Sequence, residues 1–235
     1  MAYEKRLDGR KFDELRPVEA KVGVVENAAG SAMFKIGKTI AIAAVYGPKE
    51  LYPGFLQDPT KGILRCNYNM LAFSGSGDRV RPGPSRRSKE ISMVSEKALL
   101  PTLDLSQFSG AVVDVFIELI QTDAGTRCAG ITAASMALAD AGIPMKGLVS
   151  SVAVGRVGGK IVLDLSKEEE DYEGHATDIA TAMITSTGEI TLLQMDGLIT
   201  KEEIKKALEL AKKGNEKIKE IQIKALKERY QTGKK

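Results

Sequence analysis

A chain of 235 residues, 43% hydrophobic and 28% charged, can bury a sizeable core and has the composition of a folded globular protein. It contains no apolar run long enough to span a bilayer and no charged-then-apolar leader, so no membrane insertion is expected and a cytoplasmic location is the default. A net charge of +3 excludes a global basic field, and two distant cysteines with a single histidine exclude a Cys/His zinc cluster.

The first stretch, Met1 to Arg16, is highly charged and carries Arg6-Leu7-Asp8-Gly9-Arg10, where Asp-Gly predicts a tight turn in an otherwise extended arm, a clamp or a tail. Strand-like segments follow at Val18 to Val25, Ser31 to Ile36 and Thr39 to Val45, an antiparallel meander. After a loop from Pro48 to Gly62, Leu64 to Phe73 alternates, with Leu64, Cys66, Tyr68 and Met70 on one face and Arg65, Asn67 and Asn69 on the other. That polar face fits either solvent or the wall of a polar channel.

Ser74 to Ser85 is rich in Gly, Pro and Ser and carries Arg79 and Arg81. Ser85 is a natural N-cap for a helix reaching about Leu100, and Arg86 and Arg87 occupy its first turn. The apolar run Val112 to Ile120 then meets Thr122-Asp123-Ala124-Gly125-Thr126-Arg127 and a small-residue helix from Cys128 to Ala141. A strand handing over to a helix through Gly125 leaves the first helical N–H groups unpaired, a site for an anion. Arg127 stands at the positive end of a helix macrodipole, as do Arg86 and Arg87. Taken alone, Arg127 reads equally as part of an anion cradle or as a residue that points into solvent or pairs with an acid such as Asp123; the second such helix start favours one shared anionic ligand.

The remainder predicts a second sheet, with Val149 to Val157 and Lys160 to Leu165 as one hairpin and Ile179 to Thr185 and Glu189 to Met195 as another. Between them lies an acidic, irregular segment, Lys167 to Thr177, with Asp171 in it and Asp178 at the mouth of the next strand. Thr200 to Glu203 forms a capping box for a long amphipathic helix with Ile204, Leu208, Ala211, Ile218 and Ile221 on one face, weakened midway by Gly214, and the tail from Gln231 to Lys235 is expected to fray. The order predicts an α+β fold spanning residues 1–235 as one body, two similar strand-then-helix halves with mixed sheets packed on helices. Arginines and a helix N-terminus for phosphate, with carboxylates able to move a proton, describe a phosphoryl-transfer site. A P-loop is missing, and Cys128 reads as a small core residue rather than a nucleophile.

The strings RLDGR with LRP, PSRRS at Pro84 to Ser88, TDAGTR at Thr122 to Arg127, ALADAGIPM at Ala137 to Met145, and LDL with downstream Asp171 and Asp178 together resemble the RNase PH family, and more closely the catalytic RNase PH-type subunit of archaeal exosomes. The resemblance implies a phosphate-dependent 3′ to 5′ exoribonuclease that releases nucleoside diphosphates, with inorganic phosphate as co-substrate. It assigns Gly125, Thr126 and Arg127 to phosphate and Arg86 and Arg87 to RNA phosphates, with Arg87 also touching inorganic phosphate. Asp171 and Asp178 would flank the scissile bond, one as proton donor or as ligand of a divalent ion such as Mg2+ or Mn2+. It further implies single-stranded RNA threading past Arg65, Arg79 and Arg81, a homologous inactive subunit in a hexameric ring, and RNA-binding cap proteins. A stand-alone RNase PH trimming tRNA ends and a non-catalytic ring subunit are the alternatives; the retained Arg86, Arg87, Gly125-Thr126-Arg127 and Asp178 oppose the second. Two departures stand out. Leu7 replaces a usual proline, and the segment Gly174-His175-Ala176-Thr177-Asp178 has one added residue and His175 in place of Glu. The insertion leaves the alignment of Asp171 open by one position, and His175 reads as a loop variant.

Overall fold

Apolar alternation builds a first sheet in the computed structural model, which describes residues 3–81, 83–172 and 176–231. Its strands are β1 (Val18–Val22), β2 (Gly30–Ile36), β3 (Thr39–Glu50), β4 (Ile63–Met70) and β5 (Ala111–Gln121), in the order β1-β2-β3-β5-β4. The first three form the expected antiparallel meander, and β5 pairs antiparallel with β3. β4 instead pairs parallel with β5, so the chain between them must cross over, and it does so through α1 (Arg86–Leu99). β4 ends at Met70, short of the expected Phe73, which is exposed. The second sheet, β6 (Val149–Val157), β7 (Lys160–Leu163), β8 (Thr177–Ile184) and β9 (Glu189–Asp196), has the order β7-β6-β8-β9 and is wholly antiparallel, so only the first sheet is mixed.

Between the sheets lies α2 (Thr126–Asp140), buried along nearly its whole length. Its small residues follow from the closeness of its neighbours. A Cβ on Gly30 would lie 2.2 Å from the Ala141 nitrogen, and one on Gly130 would lie 2.9 Å from Ile117 Cγ2. Larger side chains on this helix would force the sheets apart. The core built around α2 draws residues from both sheets and from α4 (Lys201–Gln231). α4 opens on the anticipated capping box, with Thr200 N–H donating to Glu203 and Glu203 N–H to Thr200. Gly214 does not break it; it lets the helix approach β7, where an added Cβ would sit 2.7 Å from Leu163 Cδ1. The helix runs on through Gln231, and the remainder of the expected tail, 232–235, lies outside the described residues, as does His175.

Two expectations change. The acidic segment is not irregular at its start: Lys167–Glu170 forms a one-turn helix, α3, with Ser166 as cap and Glu169 completing a capping box. The N-terminal arm is neither a free tail nor simply extended, because the turn at Gly9 folds it back and its Tyr3, Arg6 and Arg16 side chains are buried. Arg6 donates to both oxygens of Glu169, at 2.8 and 2.7 Å, and the Tyr3 hydroxyl donates to the same carboxylate at 2.6 Å. Both charged side chains are wholly buried, and such a pair stands only when its remaining polar atoms are satisfied. Here the Arg6 guanidinium also donates to the carbonyls of Leu163 and Asp164. A single helical turn is marginal by itself, so the arm is what holds α3.

Burial pushes the Glu169 carboxyl up, but Arg6, Tyr3 and the Ser166 N–H outweigh it and bring its pKa to about 2. A carboxylate lowered on folding stabilises above its unfolded value of 4.5, and that contribution is lost as pH falls toward 2. Glu169→Gln should therefore lower the melting temperature at pH 7 and flatten its decline between pH 4.5 and 2.5 relative to the parent, as followed by circular dichroism.

Candidate active site

The site begins where β5 ends. Gly125 adopts φ 67° and ψ 29°, a left-handed conformation that most side chains resist, and the next residue starts α2. Among the described residues, that start has no side-chain cap and no acid in its first turn. Its N–H groups therefore face the space in front of the helix, where the macrodipole favours negative charge. Asp123 does not neutralise Arg127. It binds Arg16 at 2.9 Å, while Arg127 donates to the Gln194 amide oxygen at 2.6 Å. Arg16 also grips Asp164 and the Ala124 carbonyl, so the turn is fixed from behind. The pairing of Arg127 with Asp123 is therefore not formed.

A small cavity of about 50 Å³ lies before the turn, lined by Gly125, Thr126, Arg127, Arg87, Glu170 and Asp178 among others. Arg87 reaches over from the first turn of α1 and donates to Thr126 Oγ1 at 3.4 Å, so both helix starts serve one space. Tyr68, buried on β4, turns its hydroxyl toward Thr126 and Arg87 without satisfying a hydrogen bond among the described residues, and burial raises its pKa. A second, larger cavity of about 290 Å³ shares Arg127 and Asp178 and extends past Gln194, Asp196 and Glu90. The pair offers a narrow pocket for a small tetrahedral anion beside a wider space for a bulkier group.

The opposite wall is made of carboxylates. Asp178 lies directly across from Asp196 in the β8–β9 pairing, a like-charge juxtaposition that costs stability. Burial raises the pKa of Asp178; Asp196 adds to the rise, and Arg127 and Arg87 oppose it. One Asp178 oxygen is buried without a hydrogen-bond donor among the described residues. Facing it is Glu170, not Asp171. Burial, then the Asp178 charge, push Glu170 up to about 7, so a substantial share of this carboxyl holds a proton near neutrality. Asp171 points outward and pairs with Lys167 at 2.7 Å.

The exchange of Asp171 for Glu170 has a physical cause. Glu169 is drawn inward by Arg6 and by its own capping box, and on a helical turn this sets where each following residue points. The signal was present in the sequence as Ser166 followed three residues later by Glu169. Gln194 had no such signal, since only the pairing of Ala180 with Gln194 brings β9 against the turn. The remaining basic residues are not gathered here. Arg86 is exposed outside the small cavity, Arg79 and Arg81 are exposed on the loop before α1, and Arg65 is bound bidentately to buried Asp114 at 2.6 and 2.9 Å.

The resemblance to known proteins is extensive. Residues 14–144 match domain 1 of the 3′ exoribonuclease family RNase_PH, and residues 147–214 match its domain 2. Exosome complex component Rrp41 of Pyrococcus furiosus is 55% identical over 226 residues, covering 96% of this chain and 89% of that protein. Rrp41 of Archaeoglobus fulgidus is 50% identical over 228 residues, 96% of this chain and 87% of the relative. Among solved structures, a chain of the Archaeoglobus fulgidus exosome with RNA bound to the active site superposes with a TM-score of 0.76 at 28% identity, covering 92% of each chain. Rice Rrp46 superposes with a TM-score of 0.82 at 24% identity over 94% of this chain and all of its own, a likeness of fold.

The raised pKa of Glu170 has a stability consequence opposite in sign to that of Glu169. Between 4.5 and about 7 the folded state holds the proton more tightly than the unfolded state, so stability falls as pH rises through that window. Glu170→Gln should gain melting temperature relative to the parent at pH 8 and not at pH 4, as followed by thermal unfolding.

Proposed function

The chain belongs to the RNase PH family of 3′ exoribonucleases, and on that premise we propose that it degrades single-stranded RNA from the 3′ end by phosphorolysis, as the catalytic subunit of an exosome ring. The observation that carries this reading is the single pocket in which an uncapped helix start, Arg127 and Arg87 face Glu170 and Asp178. Inorganic phosphate sits on the N–H groups of Thr126 and Arg127, held by the Arg127 guanidinium and by Arg87. An oxygen of that phosphate attacks the phosphorus of the terminal phosphodiester. A P–O bond forms, the bond to the 3′ oxygen breaks, and the nucleotide departs as a diphosphate. The reaction is transfer to phosphate rather than hydrolysis, which is why no Ser, Cys or His nucleophile is needed.

The departing 3′ oxygen must take a proton as it leaves. Glu170, protonated near neutrality, is placed to give it, and Asp178 beside it keeps that proton on the pair. Mg2+ or Mn2+ would be held by Asp178, whose oxygen without a donor suits a hard cation, with substrate phosphate oxygens and water completing its shell while Glu170 keeps its proton. Such an ion would neutralise charge building on the phosphates. Arg86 and Arg87 hold the RNA phosphates entering the site. The exposed Arg79 and Arg81, together with Arg65, line the path leading to it.

A ring partner of related fold accompanies this reading. The Archaeoglobus fulgidus exosome chain that superposes here is much less like this chain than the same organism's Rrp41, which supports a particle mixing two RNase PH-type chains. RNA-binding cap proteins would complete it. No helix among the described residues is long and apolar enough to cross a membrane, and the buried, unpaired Cys66 and Cys128 accord with a reducing cytoplasm.

Incubating the purified chain, alone and with a homologous partner, with single-stranded RNA with and without phosphate tests the activity. Nucleoside diphosphates appearing only with phosphate are expected; monophosphates would overturn the proposal, and full activity without any partner would favour a stand-alone enzyme. Asp178→Asn, which removes the charge that keeps the proton on Glu170, should lower turnover by more than about a hundredfold, the scale of a general acid–base contribution, while sparing RNA affinity. Arg86→Ala combined with Arg87→Ala should instead weaken RNA binding and reduce its salt dependence, measured by filter binding from low to high salt.

A further inference from the structure

Arg127 is held by a neutral group, and that choice has chemical content. Gln194 reaches from β9, accepts from Arg127 Nη1 through its amide oxygen at 2.6 Å, and donates from Nε2 to Glu90 on α1 at 3.3 Å. The two contacts fix the orientation of the amide: a guanidinium only donates and a carboxylate only accepts, so oxygen must face Arg127 and nitrogen must face Glu90. All three side chains border the wider cavity beside the turn. A full cation and a full anion therefore stand on one open space with a single amide between them. Were they to meet, the pair would consume the positive charge on which an incoming anion depends.

From this geometry we infer that Gln194 is a positioning residue that insulates Arg127 from Glu90, keeping the guanidinium aimed at the turn and its charge free for inorganic phosphate. The inference rests on the assignment of Arg127 to phosphate. The amide does two things that no aliphatic or charged residue does together. Its oxygen orients Arg127 without neutralising it, and its nitrogen occupies the carboxylate that would otherwise capture the arginine. A glutamate in its place would keep the shape and the hydrogen bond to Arg127 while adding the very charge that the amide withholds.

The test is a set of steady-state measurements of KM for inorganic phosphate at saturating single-stranded RNA, with the chain in its assembled complex and folding checked by thermal unfolding. Gln194→Ala should raise KM for phosphate about tenfold, the size of one charge-assisted hydrogen bond, while kcat moves less than about threefold. Gln194→Glu, nearly the same size, should raise it as well. The decisive variant is Gln194→Ala with Glu90→Gln, which removes the competing carboxylate and should return KM to within about threefold of the parent. A merely structural role predicts that Gln194→Glu is silent and that the second change rescues nothing, and either result overturns the inference. Arg127→Ala separates the two levels of the argument: if it leaves KM for phosphate unchanged, the phosphate assignment has failed, whereas a large rise alongside a silent Gln194→Ala sinks the insulating role alone.

Discussion

A helix that begins without a cap, with a cation in its first turn, is an unstable arrangement unless something negative completes it. α2 is such a helix, and it cannot be moved, because both sheets pack on it closely enough to exclude larger side chains. The fold thus fixes in space a group of N–H donors and Arg127 facing an opening, and the rest of the site is arranged about that fixed point. Arg87 arrives from α1, whose placement follows from the crossover between parallel β4 and β5, and Asp178 arrives from β8 of the other sheet. Charge of one sign comes from helix starts and charge of the other sign from a strand mouth, so the pocket polarises whatever enters it.

The carboxylate wall shows how environment divides labour among adjacent acids of similar chemistry. Glu169, Glu170 and Asp171 are consecutive, yet the first is held ionised by a buried guanidinium, the second is driven to keep its proton, and the third is an exposed partner of a lysine. Their one-turn helix makes the difference, since each step turns the side chain to a new neighbourhood. Only the middle residue shares its space with Asp178, and only there does burial combine with a like charge.

Much of this was legible in the sequence because it rests on local rules. Alternation located the strands, Ser85 and Thr200 marked helix starts, and Gly125 followed by Arg127 announced the turn. What stayed hidden was decided by residues far apart in the chain. The choice of Glu170 over Asp171 depends on Arg6, 163 positions before Glu169, and the orientation of Arg127 depends on a glutamine 67 positions later. The added residue near His175 leaves the position of Asp171 open by one in the sequence, whereas the Ser166 cap fixes where each residue of α3 points. Similarly, a polar face on β4 announced Arg65 but not its partner Asp114, which only the parallel pairing with β5 supplies.

The buried contact between the arm and α3 also bears on how the molecule comes into being. Closing a loop of that length carries an entropic cost that the buried contact must outweigh, so the placement of Glu170 rests on segments far apart in the chain meeting. The cationic side of the pocket draws Arg87 and Arg127 from the starts of α1 and α2, whereas Glu170 follows a residue gripped by Arg6 from 163 positions earlier. The acidic wall thus depends on a longer-range closure than the turn it faces, and loosening the arm would disturb that wall before it reached the start of α2.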